Sequence, residues 1–247
     1  MITKRIIPCL NIQNGQVVSW KMPPQSPIEL AKKYAERGAD ELLIYDMSPT
    51  EENKERFTWL TKEVTKSVFI PLTVGGGITS LADFERILAC GGDKVSVRSG
   101  ALRYPNLIEE AAKKYGDQSV VLTTDIKRVR GKYHIFLKNV DTGLEAGEWI
   151  RRCVGNGAGE VVVNSLDSFG KMKGFDLEFL TKISEDVSVP IIASGGAGSE
   201  EHFVELFQKI PTVDAAIAST AFHTSRMEIN SLKATLLNNG IHVRHRL

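Results

Sequence analysis

The sequence predicts an α/β fold, a single (β/α)8 TIM barrel, on three observations. Eight short apolar runs alternate with eight amphipathic helical patterns along the 247 residues. The runs are rich in Val, Ile and Leu and do not alternate with polar residues, which is typical of parallel strands buried on both faces. No linker or change in composition divides the chain, and its length suits one large barrel. We therefore expect one domain spanning residues 1–247.

The predicted elements follow one another in strict alternation. The strands are 5–10, 41–46, 69–74, 94–97, 119–124, 160–164, 190–193 and 215–218. The helices are 27–37, 52–65, 81–89, 106–115, 145–154, 177–184, 200–207 and 229–237. The first helix has the clearest bounds, because Ser26 is a good N-cap, Pro27 suits the first helical position and Gly38 favours a stop.

The two halves of the chain resemble each other. A glycine cluster follows an apolar run at 74–78 and again at 194–198, and in each half it precedes a helical pattern. Segment 93–99 likewise matches 214–220, and Asn11 matches Asp125. Two repeats of this length do not fit an array of short stacked units. We expect two half-barrels, about 1–117 and 118–247, with ligand sites related by two-fold symmetry on the C-terminal face.

Glycine lets backbone N–H groups approach a ligand closely, and the start of a helix favours negative charge. Two glycine clusters therefore predict two anion sites, most simply for the two phosphates of one elongated substrate. One such turn alone would be weak evidence, because glycine is common in any tight turn.

Composition narrows the function classes. The net charge of +1 provides no electrostatic footprint for nucleic acid or an anionic membrane. No apolar stretch approaches the roughly 20 residues of a membrane span, and no secretory signal is visible. The three cysteines and five histidines show no metal-ligand spacing. We expect a cytoplasmic protein with reduced thiols and without a metal, a cofactor, a nucleic-acid partner or a membrane partner.

Four segments carry a resemblance that extends over essentially the whole chain. Residues 4–10, 74–78, 125–129 and 191–198 resemble the cyclase subunit of imidazole glycerol phosphate synthase (HisF). The resemblance implies a lyase of histidine biosynthesis and a subunit of a glutamine amidotransferase heterodimer. Ammonia from a HisH-like glutaminase on the N-terminal face would cross the barrel interior. At the C-terminal face it would react with a substrate bearing two phosphates, with two aspartates as general acid and base.

The resemblance also implies an entrance for ammonia at the N-terminal mouth of the barrel. Arg5, Glu41, Lys94 and Glu160 match four positions that form a charged ring there. Asp93 matches an aspartate at the glutaminase interface. The simpler alternative is a ring that merely closes the end of the barrel.

The catalytic pair is incomplete in this chain. Asp125 matches one catalytic aspartate, but Asn11 occupies the position of the other. An amide does not exchange a proton near neutral pH, so we expect Asn11 only to orient a ligand. The loop after the first strand is short, with Ser19 in place of the family's lysine and Lys21 out of register.

Both phosphate sites of the family are altered. The resemblance assigns the first site to Gly77, Arg98 and Ser99, and the second to Gly170, Lys171, Gly195, Gly196, Ser219 and Thr220. Arg98 replaces an asparagine and adds a positive charge, while Phe169 replaces an aspartate. For His223, after the last strand, we expect packing or a role at a helix start more than catalysis. The basic tail 242–247 is expected to be disordered or to cover the barrel rim.

The combined departures predict a different substrate from that of the histidine pathway. The chain resembles the WbuZ-like paralogues, which are linked to glutamine-dependent amidation of surface-polysaccharide sugars. We expect a synthase subunit that passes ammonia to an anionic acceptor, phosphorylated or sugar. One alternative is an ordinary cyclase that tolerates Asn11. Another is a non-catalytic scaffold that binds and activates a glutaminase.

Overall fold

The computed structural model describes residues 3–19, 22–48 and 50–244. The strands within these residues are β1 Arg5–Gln13, β2 Gln16–Ser19, β3 Met22–Gln25, β4 Leu42–Asp46, β5 Leu72–Gly75, β6 Lys94–Val97, β7 Val120–Val129, β8 Lys132–Leu137, β9 Val140–Glu145, β10 Glu160–Ser165, β11 Ile191–Ser194 and β12 Ala215–Ala218. The helices are α1 Pro27–Glu36, α2 Glu51–Ser67, α3 Leu81–Ala89, α4 Ser99–Arg103, α5 Leu107–Tyr115, α6 Ala146–Gly155, α7 Leu177–Asp186, α8 Glu200–Lys209, α9 Thr220–His223 and α10 Ile229–Asn238.

Eight of the strands form a closed parallel barrel in the order β1, β4, β5, β6, β7, β10, β11 and β12. The barrel closes where β12 pairs in parallel with β1, with Ile217 opposite Ile7. The predicted (β/α)8 fold is therefore confirmed. Each predicted strand and helix is present near its expected bounds, although β1 and β7 are longer than expected.

Two three-stranded antiparallel meanders, each starting from a barrel strand, were not predicted. Strand β1 continues into β2 and β3, and β7 continues beyond the barrel into β8 and β9. The two turns of the second meander contain residues with a left-handed backbone conformation, including Gly131 at φ 84° and Asn139 at φ 63°. These turn signals were present in the sequence. The two meanders extend the first and fifth barrel strands, which occupy equivalent positions in the two halves of the chain.

The barrel has an outer and an inner core. The outer core lies between the strands and the surrounding helices. The inner core fills the barrel axis with side chains that alternate inward along the strands. Its buried members are Ile7, Cys9, Leu43, Val121, Val162, Ile192, Ala215 and Ile217, with Tyr45 packed against them.

Three aspartates hold the N-terminal ends of barrel strands. Asp40 accepts a hydrogen bond from the backbone of Ile6 at 2.8 Å, and Asp93 accepts one from that of Leu72 at 2.8 Å. Asp214 accepts the corresponding bond in the second half, from Ile191 at 3.1 Å. Asp93 therefore has a structural role besides any contact with a partner.

Part of the C-terminal tail covers the N-terminal rim of the barrel. The backbone of Lys4 donates to the carbonyl of His242 at 2.8 Å. The buried ammonium of Lys233 pairs with Asp40 at 2.6 Å and donates to the carbonyl of Arg244 at 2.8 Å. Covering the rim is thus the expectation that holds for residues 242–244, while 245–247 lie outside the described residues. Among the helices of the described chain, none has both the length and the apolar character needed to cross a membrane.

Candidate functional site

A polar network surrounds Asp125 at the C-terminal end of the barrel. The Nη1 of Arg98 donates to Asp125 Oδ2 at 2.9 Å, and the amide of Asn164 donates to Oδ1 at 2.8 Å. Ser194 Oγ in turn donates to the Asn164 carbonyl oxygen at 3.2 Å. Both oxygens of the buried carboxylate are therefore bound by donors from neighbouring strands.

Asn11 lies on the other side of the barrel mouth, because β1 and β7 are four strands apart in the ring of eight. Its side-chain oxygen is 3.8 Å from the Cys9 thiol, which donates to it. Burial raises the pKa of Cys9 to about 12, so this thiol stays protonated at neutral pH. The side-chain oxygen of Asn11 therefore accepts a hydrogen bond from a neutral thiol.

Three hydroxyl groups meet in the layer beneath Arg98 and Asp125. We call Tyr45, Ser96 and Thr123 the hydroxyl triad. The Tyr45 hydroxyl is 3.1 Å from Ser96 Oγ and 2.6 Å from Thr123 Oγ1, and these two atoms are 2.7 Å apart. Burial raises the pKa of Tyr45 to about 12, so its hydroxyl stays protonated at neutral pH.

The position of Tyr45 depends on a glycine in the next strand. A Cβ on Gly75 would lie 2.4 Å from Tyr45 Cε1, so the ring crosses over Gly75 to reach the two other hydroxyls. Ser96 and Thr123 are two residues before Arg98 and Asp125, so each pair lies on one face of its strand. The sequence analysis missed the triad, although two hydroxyl residues within otherwise apolar runs were a detectable signal.

The two glycine turns, residues 75–78 and 194–197, have equivalent geometry at Gly76 and Gly195. Gly76 and Gly195 have φ values of 108° and 92°, a region that favours glycine. A Cβ on Gly76 would lie 2.5 Å from the Asp46 carbonyl oxygen, and one on Gly195 would lie 2.6 Å from that of Ser165. Close packing against the preceding strand end therefore requires both glycines, whether or not an anion binds.

The helices that follow the turns are capped by their own side chains. Asp83 accepts from the backbone of Thr79 at 2.9 Å and of Ser80 at 3.1 Å, at the start of α3. His202 plays the same part for Gly198 and Ser199 at the start of α8. These capping side chains already accept hydrogen bonds from the backbone N–H groups at the starts of the helices. An anion at either glycine turn would therefore be bound by N–H groups of the turn itself and by residues that follow the next barrel strand.

The residues assigned to the first anion site lie near one another. Arg98 and Ser99 begin α4, and Gly100 packs so tightly that an added Cβ would lie 2.0 Å from the carbonyl oxygen of Ile78, next to Gly77.

The second site draws on the turn after β11 and on the residues after β12. Ser219 and Thr220 begin α9 after β12, which pairs with the strand leading into Gly195 and Gly196. The contacts to Gly196 come from Gly174 and Ser168: an added Cβ would lie 1.9 Å from the carbonyl oxygen of Gly174 and 2.9 Å from Ser168 Cβ.

Gly170 and Lys171 occupy an exposed part of the same loop. An added Cβ on Gly170 would have no described atom within 4 Å, and Phe169 beside it is exposed. The described atoms nearest to a Cβ on Gly196 thus belong to Ser168 and Gly174, which flank the predicted pair in the same loop.

The four side chains of the charged ring converge at the opposite end of the barrel. Arg5 pairs with Glu41 at 2.8 Å and with Glu160 at 2.5 Å. Lys94 pairs with the same two carboxylates at 3.0 and 2.8 Å. Thr73 adds a hydrogen bond to Glu41 at 2.6 Å. Each buried glutamate therefore contacts both cations, and the ring is continuous.

The family described as "Histidine biosynthesis protein" matches residues 5–228. The chain belongs to this family. The matched range includes the charged ring, both glycine turns and the Asp125 network. The predicted resemblance is therefore confirmed at the level of this family.

The rim of this histidine biosynthesis family member carries a groove beside the charged ring. The rim groove has a volume of about 370 Å³ and is lined by residues that include Val68, Phe69, Pro71 and Asp93. Phe69 is 92% exposed and precedes β5, although the sequence predicted it within a buried strand. Phe69 therefore places a large apolar side chain on the surface of this groove.

Other predicted positions have simpler surroundings. His223 is buried, and its Nδ1 lies 2.6 Å from the Tyr34 hydroxyl, a packing environment as expected. Ser19 ends β2, and Lys21 lies outside the described residues. Within the described part of the chain, no group of three or more His, Cys, Asp or Glu side chains is placed to hold a metal ion.

Proposed function

We propose that this chain is the synthase subunit of a glutamine amidotransferase. In this proposal, ammonia enters from a glutaminase at the N-terminal face and reaches an anionic acceptor at the C-terminal face. The observation that carries the proposal is the charged ring. Glu41 and Glu160 are buried at the barrel end with two cations, an arrangement that apolar side chains would usually replace at no loss of stability. A role in passing a small polar molecule accounts for keeping it.

The rim groove supports a protein partner at this end. Phe69 offers apolar surface and Asp93 offers charge within one groove beside the ring strands. Stable interfaces combine an apolar centre with a polar rim and bury on the order of 1,200–2,000 Å². A glutaminase seated here would discharge ammonia directly onto the charged ring.

The C-terminal face supports an anionic acceptor. Arg98 places a half-exposed cation at the barrel mouth, and the two glycine turns lie on the same face. Asn11 stands in place of one of the two aspartates that the histidine-pathway cyclase reaction would use as general acid and base. We therefore propose an acceptor outside that pathway, phosphorylated or sugar. Its assignment to surface-polysaccharide amidation rests on the WbuZ-like resemblance.

The description of the family favours a second candidate, the ordinary cyclase of histidine biosynthesis. Asp125 is present for it, but half of its acid–base pair is not. Restoring Asn11→Asp tests this candidate: the variant supplied with ammonia and the histidine-pathway substrate would gain about 10²-fold or more in turnover if the rest of the site were intact. We expect a smaller gain, because Arg98 and the short first loop also differ.

The test of the proposed function mixes the chain with candidate glutaminases, including those encoded by neighbouring genes. We expect one of them to form a complex and to hydrolyse glutamine faster when the chain is present. Phe69→Asp should weaken the complex, whereas Phe169→Asp, an exposed phenylalanine on the opposite face, should not. Failure of every candidate to bind would refute the proposal. Activation without transfer to any acceptor would favour the scaffold alternative.

A further inference from the structure

A groove between α2 and α3 lies on the outer wall of the barrel. Helix α2 packs more closely against α1 than against α3, so the wall is open at this point. The groove has a volume of about 560 Å³, which is within the range of small-molecule sites. We call it the wall groove, and the residues that line it include Lys54, Thr58, Trp59, Lys62, Asp83 and Arg86.

The wall groove is separate from the barrel mouth and from the rim groove. Each barrel helix begins after a strand has ended at the C-terminal face, so the early turns of α2 and α3 lie on the outside of the wall towards that face. The rim groove lies at the other end of α2, at Val68 and Phe69. A ligand in the wall groove would therefore contact neither the charged ring nor the Asp125 network.

Trp59 presents an open aromatic face in the wall groove. It is 58% exposed, although tryptophan is a highly buried residue type on average. Among the described residues, no other ring stacks on the indole and no cation lies over it. Both the face and the N–H edge of this ring are therefore available to a planar ligand.

Asp83 holds two cations at the side of the groove that α3 forms. Arg86 Nη2 pairs with Asp83 Oδ1 at 3.2 Å, and Lys54 Nζ lies 3.7 Å from the same oxygen. The Nη1 of Arg86 also donates to Thr58 Oγ1 across the groove at 2.9 Å. Because two contacts fix the guanidinium, it is preorganised and keeps further N–H donors for a ligand.

A second cation lies beside Arg86 on the α2 side. Lys62 is four residues after Thr58, on the same face of the helix, and it has no ionic partner among the described residues. It is also three residues after Trp59, so the open ring and two cations converge on one part of the groove. Arg86 and Lys62 together favour an anionic group next to the indole.

A carboxylate lies on the other side of the indole. Glu55 lines the groove four residues before Trp59, and it is about 10 Å along the helix axis from Lys62. A carboxylate at this distance accepts hydrogen bonds from an amino or hydroxyl group without repelling an anion strongly. The groove therefore fits a planar ring that carries an anion at one end and hydrogen-bond donors at the other.

We propose that the wall groove binds a nucleoside monophosphate, with the base stacked on Trp59 and the phosphate bound by Lys62 and Arg86. Glu55 accepts a hydrogen bond from the nucleoside. A nucleic-acid strand would need a basic surface that extends beyond one groove, and the net charge of +1 does not provide it. The ligand is therefore a free nucleotide.

The experiment titrates the chain separately with AMP, adenosine and inorganic phosphate, and follows tryptophan fluorescence and the heat of binding. AMP should bind more tightly than either fragment, because only AMP occupies both the aromatic and the cationic part of the groove. It should also quench the fluorescence of Trp59. Trp149 is buried and lies in α6, away from the wall groove, so it should not report this binding.

Two variants and a matched control assign the binding to the groove. Trp59→Leu should weaken AMP binding about tenfold or more, measured by calorimetry, because base stacking is lost. Lys62→Gln should weaken it about three- to tenfold, because a charge next to the phosphate is lost. The control Lys66→Gln removes the same charge one helical turn further on, where Lys66 pairs with Glu63 at 2.7 Å outside the groove. It should change the affinity less than about twofold.

Three outcomes would overturn the inference. The first is a chain that does not bind AMP at millimolar concentration. The second is inorganic phosphate that binds as tightly as AMP, since the groove would then take an anion without a base. The third is AMP binding that neither Trp59→Leu nor Lys62→Gln weakens in proteins of unaltered circular dichroism, since the nucleotide would then lie elsewhere, for example at a glycine turn. No titration requires a glutaminase or an ammonia acceptor, so failure here is distinguishable from failure of the proposed function.

Discussion

Replacing Lys94 tests the charged ring most directly. Lys94→Met keeps the length of the side chain but removes a cation that pairs with Glu41 at 3.0 Å and Glu160 at 2.8 Å. Arg5 is then the only ring cation left for two buried carboxylates. Breaking a buried ion pair by removing one partner costs about 3–5 kcal/mol.

The expected cost is reduced because Lys94 is not fully buried. Its side chain is 18% exposed, so water compensates part of the loss. We expect a destabilisation of about 2–4 kcal/mol, which corresponds to a fall in melting temperature of roughly 5–15 °C for a domain of this size. Thermal unfolding followed by circular dichroism measures it.

A charge-balanced double variant is the matched control. Lys94→Met/Glu41→Gln leaves one cation and one carboxylate, Arg5 and Glu160, whose 2.5 Å contact remains. This variant should recover at least half of the lost stability. The electrostatic argument fails if Lys94→Met melts within about 2 °C of the unaltered protein, or if the double variant is less stable than the single one.

Three further predictions concern buried groups whose surroundings the structure specifies. Burial lowers the pKa of His223 to about 4. Because an unfolded histidine titrates near pH 6.5, stability should fall by up to about 3 kcal/mol as pH drops from about 6.5 to 4. His223→Gln should flatten this part of the melting profile, and an equally steep profile would contradict the assignment. Gly196→Ala should destabilise by about 3 kcal/mol or more, because its Cβ would meet a carbonyl oxygen at 1.9 Å. Gly170→Ala has open space and should cost only about 1–2 kcal/mol of backbone strain, so equal urea midpoints for the two variants would refute the packing argument. Gly75→Ala should destabilise through its 2.4 Å clash with Tyr45, and much less in a Tyr45→Leu background, as a double-mutant cycle of unfolding free energies would show. Additive effects would mean that the ring does not lie over this glycine.

Much of the architecture follows from local sequence patterns. Continuous apolar runs followed by amphipathic segments predicted the eight parallel strands and their helices, because burial on two faces leaves a mark in every strand. The members of the charged ring came from the resemblance to the family, and each lies at the start of a predicted strand: Arg5, Glu41, Lys94 and Glu160. That these side chains face inward and meet follows from closure of the barrel.

Other features were decided by the tertiary structure. The hydroxyl triad joins residues 45, 96 and 123, and no local period connects them. The pairing of Arg98 with Asp125 likewise joins neighbouring strands that are separated in sequence by two helices, α4 and α5, and a 3-10 turn.

The glycine turns show the limit of sequence reasoning most clearly. Their spacing and repetition were evident in the sequence, which predicted tight turns that bind anions. The structure adds a second cause, because Gly76 and Gly195 leave no room for a side chain against the backbone of the preceding strand end. A local pattern records which backbone conformations a residue permits. The neighbouring atoms that make such a conformation necessary come from distant parts of the chain, and only folding brings them into contact.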